Sequence, residues 1–302
     1  MPRIPDDHLD AIVYLYPSRA DAQAGERMGG TGFVVLVRFA PPFADMGHWY
    51  VVTNRHVALN APVIRMNLKE GGTDAISLDA NDWTFHPDGD DLAMWRVVHD
   101  AKPFRLRTIE SDLIVSEEEY QRVGFGLGDE CIMLGRFIGI VETDRLRPSA
   151  RFGNLARTDA VPVKQSGLGI VQESLLVETR SISGFSGSPV FAYRASTMKA
   201  NTEGGSTLPA AVSPLVSSPY GLIGIDWGHM PFHGRVYAED RATLVDPPMW
   251  AAENSGLMMV VPAWKLLDML DDDAEIDVRK QVEINHASTH APPVASGGCL
   301  ER

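Results

Sequence analysis

Three polar side chains in separate parts of the chain could together make an alcohol nucleophilic. Ser186 lies in the glycine-rich stretch SISGFSGSPVF, His56 follows the apolar run WYVVTN, and Asp91 precedes the apolar run LAMWRVV. A serine hydroxyl needs a base within hydrogen-bond reach, and histidine titrates near neutral pH. A desolvated carboxylate can hold the imidazole in the required tautomer. The three residues therefore predict acyl-transfer chemistry.

The turn that carries the serine could also stabilise the negative charge that develops during such a reaction. The backbone N–H groups of Gly184 and Ser186 are the predicted oxyanion hole, since glycine permits the turn geometry that aims them at one point. Each motif alone has an ordinary alternative: a Gly/Ser turn, a structural histidine, or a turn aspartate. Asp90, next to Asp91, competes with it for the same role.

The order of the three residues along the chain separates the known arrangements of this chemistry. The α/β-hydrolases run Ser, Asp, His and the subtilisins run Asp, His, Ser, whereas this chain runs His56, Asp91, Ser186. The α/β-hydrolase elbow G-x-S-x-G also fails, because Ser188 stands where its last glycine would be. Only the chymotrypsin order fits.

Short apolar runs must position these residues. Runs rich in Val, Ile, Leu and aromatic residues recur between Gly, Pro and Asp clusters, which predicts an all-β barrel or sandwich. Helical periodicity is clear in VPAWKLLDMLDDD, so a C-terminal helix is expected on a β body. The small, polar residues of about 192–219 predict a flexible insertion, and 273–302 predict a disordered tail.

Composition excludes several classes of function. The 302 residues have a formal net charge of −13, which argues against binding nucleic acid or an anionic membrane through a basic face. No apolar run is long enough to span a membrane and no signal peptide is visible, so we expect a cytoplasmic protein. Two cysteines cannot form a disulfide framework. The histidines lack metal-ligand spacing, and we expect neither a metal nor another cofactor.

These motifs together resemble the trypsin-like serine peptidases of bacteria, the group that contains HtrA-type proteases and glutamyl endopeptidases. The resemblance covers roughly residues 10–270 and rests on GGTGFVV, TNRHVA, DLAMWRV, GDECIMLG with RFGNLA, GFSGSPV, GLIGIDWGH and NSGLMMVVPAWKLLDML. It implies a chymotrypsin-like fold of two six-stranded antiparallel β-barrels with a C-terminal helix. Residues 1–115 would form the barrel that carries His56 and Asp91. Residues 116–272 would form the barrel that carries Ser186.

The resemblance also implies substrate-binding residues and an activity. Asp226, Trp227 and Gly228 match the strand that binds the substrate backbone, and Arg180 and Ser181 lie near the base of the specificity pocket. Asp226 and Arg180 have opposite charges, so the cleavage specificity stays open. The implied activity is that of a serine endopeptidase acting on polypeptides. Two alternatives remain: a catalytically silent binding or scaffold module, and an effector protease that is activated by a regulatory protein partner in a bacterial stress or defence system.

Overall fold

The chain folds into two β-sheets followed by two helices. The computed structural model describes residues 4–98, 102–123, 125–137, 140, 142–165, 169–179, 184–193, 219–237, 243–245 and 247–290. Nearly all strand pairs in both sheets are antiparallel. The predicted class, mostly β with a C-terminal helix, is confirmed.

The first sheet has eight strands, where the resemblance predicts six. Its order is β5-β4-β1-β2-β3-β7-β6, and β8 pairs with β2 in parallel. The two extra strands, β6 and β8, are only two residues long, and the order does not close into a ring within the described residues. The strands are β1 Ile12–Tyr16, β2 Gly30–Arg38, β3 Gly47–Thr53, β4 Val63–Asn67, β5 Thr73–Ser77, β6 Thr84–Phe85, β7 Ala93–Arg96 and β8 Ile109–Glu110.

Helices in this half are short. The α-helices are α1 Arg19–Ala24 and α2 Arg55–Asn60, and 3-10 turns cover Asp6–Ala11, Ala80–Asp82 and Ser111–Leu113. Helix α2 begins two residues after β3 ends. A third helix, α3 Glu117–Val123, lies between the two sheets in the sequence.

The second sheet is a closed six-stranded barrel in the order β10-β11-β14-β13-β12-β9, as the resemblance predicts. Two of its hairpins, β10–β11 and β13–β14, are long because their strands reach 17 and 16 residues. The strands are β9 Glu130–Gly135, β10 Ser149–Gln165, β11 Ile170–Glu178, β12 Pro189–Tyr193, β13 Tyr220–Arg235 and β14 Trp250–Pro262.

Buried apolar side chains form three clusters. One is drawn from the first sheet and α2, a second from the barrel and the segment leading into it, and the largest takes residues from both halves. Apolar burial is the main favourable term in folding, so the shared cluster binds the two sheets into one body. The functional residues of both halves are therefore held in fixed relation to one another.

The chain after the barrel corrects the sequence prediction. Helix α4 Trp264–Leu270 is the predicted C-terminal helix, but residues 273–290, predicted to be disordered, form a second helix, α5 Asp273–His290. Several of its contacts are polar, which explains why an apolar pattern did not reveal it, and His286 also packs against the rings of Phe39 and Phe43. Tyr50 Oη donates to Glu275 Oε1 at 2.7 Å, and Arg279 Nη1 donates to the carbonyl of Leu270 at 2.6 Å.

The predicted division near residue 115 falls in the connection between the sheets, after β8 and before β9. The predicted insertion lies outside the described residues from 194 to 218, and its first two residues, Ala192 and Tyr193, belong to β12. Residues 291–302 also lie outside the described chain. Among the described helices, none is both long and apolar enough to span a membrane.

Candidate active site

His56 and Asp91 form a close pair in the first half. His56 Nδ1 donates to Asp91 Oδ2 at 2.6 Å, and the His56 backbone N–H donates to Asp91 Oδ1 at 2.9 Å. The Asp91 side chain is 2% exposed and the His56 side chain 23% exposed. Both carboxylate oxygens are thus occupied by one residue, and the imidazole keeps solvent access. This arrangement fixes the ring in the tautomer that leaves Nε2 able to accept a proton.

The strand ends bring this pair together. Strand β3 runs to Thr53, opposite Ala93 at the start of β7, so the chain just after β3 lies beside the chain just before β7. Asn54, the residue that precedes α2, donates its side-chain amide to the carbonyl of Asp91 at 3.0 Å. The first turn of α2 then presents His56 to the Asp91 carboxylate.

Ser186 lies in a turn that precedes β12 and rests on the first sheet. The Thr31 N–H donates to the Ser186 carbonyl at 2.8 Å, and the Thr31 hydroxyl donates to the Gly184 carbonyl at 2.8 Å. Thr53 Oγ1 in turn donates to the Thr31 carbonyl at 2.7 Å. Two hydrogen-bonded steps therefore connect the turn with the end of the strand that leads to His56.

Gly30 shows how near the turn lies to helix α2. A Cβ added at Gly30 would stand 2.6 Å from Cγ1 of Val57 and 2.9 Å from the Ser186 carbonyl oxygen. Val57 is the neighbour of His56 in the chain, so the serine turn and the histidine helix approach the same point. Within the described residues, no hydrogen bond joins the Ser186 hydroxyl to the His56 ring. Catalytic hydrogen bonds are often long in the absence of substrate.

The turn that carries Ser186 contains two glycines in left-handed backbone conformations. Gly184 and Gly187 have φ values of 95° and 89°, which favour glycine, and a Cβ at Gly187 would overlap the Thr31 carbonyl. The N–H groups of Gly187 and Ser188 donate to the carbonyls of Asp226 and Phe185. The N–H groups of Gly184 and Ser186 donate to no backbone carbonyl in the described part of the chain.

Of the predicted substrate-binding residues, the structure describes Asp226, Trp227 and Gly228. Arg180 and Ser181 lie outside the described residues. Asp226 is fully buried, and its Oδ1 accepts from the Gly228 N–H at 2.9 Å. Trp227 is 1% exposed and donates Nε1–H to the Ser174 hydroxyl at 3.0 Å, so its side chain belongs to the barrel interior. The side chains of Asp226 and Trp227 are therefore buried beside the turn that carries Ser186.

The sequence did not identify Gln172, which hydrogen-bonds to the backbone of Asp91. Gln172 of β11 accepts from the Asp91 N–H at 2.7 Å and donates Nε2–H to Asp90 Oδ1 at 2.7 Å. No signal in the sequence pointed to it, because β11 buries the polar Gln172 and exposes the apolar Val171 beside it. A polar side chain on the buried face of a strand requires hydrogen-bond partners.

Asp90 has a separate set of partners. Its Oδ2 lies 3.4 Å from Lys265 Nζ and 3.1 Å from His86 Nδ1. Burial by itself lowers the pKa of Lys265, but the carboxylates of Asp90 and Glu173 outweigh that effect and raise it. The competition between Asp90 and Asp91 is thus resolved by geometry: Asp91 contacts His56 and Asp90 faces away.

Cys131 is the other candidate nucleophile in the part of the chain that the structure describes. Burial, with a smaller contribution from Asp129, raises the pKa of Cys131 to about 12, so the thiol is a poor nucleophile. Among the described residues, no group of three or more His, Cys, Asp or Glu side chains is arranged to hold a metal ion.

Comparison with known proteins gives matches only among solved structures. No family model and no curated protein matches the chain. The solved structures that it resembles include the HtrA-type protease AlgW with tripeptide, at 16% identity and a TM-score of 0.42, over 89% of this chain and 62% of that one. The Rv3671c protease, inactive form, has 13% identity and a TM-score of 0.42, with coverages of 87% and 88%. Human heparin binding protein has 8% identity and a TM-score of 0.46, with coverages of 89% and 93%.

At these identities and TM-scores, the neighbours carry no argument about the chemistry of the site. The chain spans about 62% of the length of the AlgW structure. The more specific resemblance to glutamyl endopeptidases stays a prediction. Activity must be argued from the residues that this chain itself brings together.

Proposed function

We propose that the protein is a serine endopeptidase with His56, Asp91 and Ser186 as its catalytic triad. The Ser186 hydroxyl oxygen attacks a peptide carbonyl carbon while His56 Nε2 takes the hydroxyl proton. His56 then gives that proton to the leaving amine, and water hydrolyses the acyl-enzyme by the same route in reverse. Asp91 orients His56 and stabilises the imidazolium that forms.

The observation that supports this function most is the accessible imidazole on a buried carboxylate, with the serine turn anchored beside it. A histidine held only for structure has no need of an open ring nitrogen. The N–H groups of Gly184 and Ser186 would bind the oxyanion, and such donors act strongly where water is excluded. The resemblance assigns residues 226–228 to binding of the substrate backbone, and in this structure the Gly228 N–H donates to Asp226 Oδ1, a bond that such pairing would have to replace.

A fluorophosphonate probe tests the assignment without knowledge of the substrate. The probe forms a bond from a reactive serine oxygen to phosphorus and expels fluoride. We expect wild type to label at Ser186, Ser186→Ala not to label, and its peptide turnover to fall on the order of a million-fold. Ser188→Ala is the matched control, because Ser188 lies in the same turn but is fully buried. It should retain labelling.

Two outcomes would contradict the proposal. Labelling that persists in Ser186→Ala would assign the nucleophile elsewhere. A folded wild-type protein that neither labels nor cleaves a proteome-derived peptide mixture would favour the silent binding module instead.

A further inference from the structure

A single buried side chain connects the second barrel to the segment that carries the catalytic carboxylate. Gln172 is 1% exposed, and its amide contacts two consecutive residues of the first half, Asp90 and Asp91. Oε1 accepts from the Asp91 backbone N–H, and Nε2 donates to the Asp90 side chain, each at 2.7 Å. A second Nε2 bond, to the Glu173 carbonyl at 3.0 Å, fixes the amide against its own strand.

The chemistry of this contact is selective for an amide. Asp91 offers a donor and Asp90 offers an acceptor, so the bridging side chain must present an acceptor and a donor side by side. Methionine has the same length but provides neither. An ionised carboxylate provides only acceptors, and its negative charge would be repelled by that of Asp90 Oδ1.

The position of the backbone at residues 90 and 91 determines which of the two carboxylates contacts His56. Both Asp91 oxygens are engaged by His56, one by its ring and one by its backbone N–H. The Asp90 carboxylate is held instead by Gln172 and Lys265. A shift of the backbone here would lengthen the 2.6 Å bond that orients the imidazole.

We propose that Gln172 is a positioning residue of the catalytic centre: its amide holds the Asp90–Asp91 backbone so that Asp91 aligns His56 for proton transfer from Ser186. The inference rests on the proposed protease function. Gln172 acts through Asp91 and touches no reacting atom. Small displacements of catalytic groups are costly, since a misplacement of about 1 Å can lower the rate by about a hundred-fold.

The test compares labelling rates with a fluorophosphonate across pH, expressed per folded molecule. Gln172→Met should reduce the rate by about 10- to 100-fold at every pH. Gln281→Met is the matched control, because Gln281 is exposed on α5 and bonds only within that helix, to Asn285. It should label at the wild-type rate.

Gln172→Glu provides a variant that a purely structural role would not explain. A protonated carboxyl has one acceptor and one donor, so it can replace the amide at low pH. Burial and the neighbouring Asp90 and Asp91 raise the pKa of a carboxyl at this position, whereas Lys265 opposes that effect and Glu173 adds to it. We expect a bell-shaped dependence of the labelling rate on pH. Labelling is lost at higher pH as the introduced carboxyl ionises and can no longer donate a hydrogen bond to Asp90.

The outcomes separate this inference from the proposed function. If wild type does not label, the protease proposal fails. If wild type labels, but Gln172→Met labels equally fast per folded molecule and Gln172→Glu follows the wild-type pH profile, Gln172 has no positioning role. Should Gln172→Met fail to fold, the shape of the Gln172→Glu profile decides the question alone.

Discussion

Two histidine–carboxylate pairs on and beside β3 differ in which partner is buried. In the His56–Asp91 pair the carboxylate is 2% exposed and the ring 23% exposed. In the His48–Glu283 pair the ring is 4% exposed and the carboxylate 23% exposed, at a distance of 3.2 Å between Nε2 and Oε1. A buried acid with an open ring can pass a proton to a ligand. The buried His48 ring and the partly exposed Glu283 acid attach α5 to the first sheet.

The surroundings of the two rings agree with this division. The His48 ring packs against Phe39 at a centroid distance of 4.5 Å. Burial lowers the pKa of His48, and Glu283 only partly offsets that effect. The Glu283 carboxylate also accepts from the Ala40 N–H at 3.1 Å, so it secures a loop as well as the ring. The same pair of residue types thus serves attachment at one site and, in our proposal, chemistry at the other.

The largest expected difference between the pairs is in catalysis. Asp91→Asn should lower turnover and fluorophosphonate labelling by about 10⁴-fold, because an amide favours the wrong imidazole tautomer. Glu283→Gln should leave both rates close to wild type. Equal losses in the two variants would show that burial of the acid does not distinguish the sites.

The second difference is in stability. Glu283→Gln should lower the free energy of unfolding by about 1 kcal/mol, since it weakens the hydrogen bonds to His48 and Ala40. Denaturant titration measures this, with Glu118→Gln on the exposed face of α3 as the control. If Glu283→Gln is as stable as that control, α5 is not held through this pair.

The smallest effect is a pH dependence of stability. Because the pKa of His48 is lowered in the folded state, the unfolded chain binds more protons below a pH of about 6.5, and folding weakens as the pH falls. His8, whose pKa is lowered by burial against a weaker opposing effect of Asp7, adds to the same trend. Unfolding measured at high and low pH should show a smaller difference in His48→Gln than in wild type. If the difference between high and low pH is the same in His48→Gln and in wild type, His48 does not contribute to the pH dependence of stability.

Much of this molecule could be predicted from its sequence. The turn that carries Ser186 could be recognised because it needs glycines at 184 and 187, and the order His56, Asp91, Ser186 argued against other hydrolase folds. Apolar patterns predicted α4 and an all-β body, and the resemblance to trypsin-like peptidases implied the six-stranded barrel. Helix α5 could not be predicted that way, because Glu275, Arg279 and Glu283 attach it through polar contacts. Gln172 was missed because its partners lie far away in sequence, and only the fold brings them together.

The turn that carries Ser186 is hydrogen-bonded to Thr31 of the first sheet, and the backbone of Asp91 is hydrogen-bonded to Gln172 of the second barrel. Each half of the molecule therefore supports a proposed catalytic residue of the other half. During synthesis His56 and Asp91 would leave the ribosome well before Gln172 and Ser186. Under the proposed function, the chain therefore gains peptidase activity only after the strands of the second barrel have folded against the first sheet.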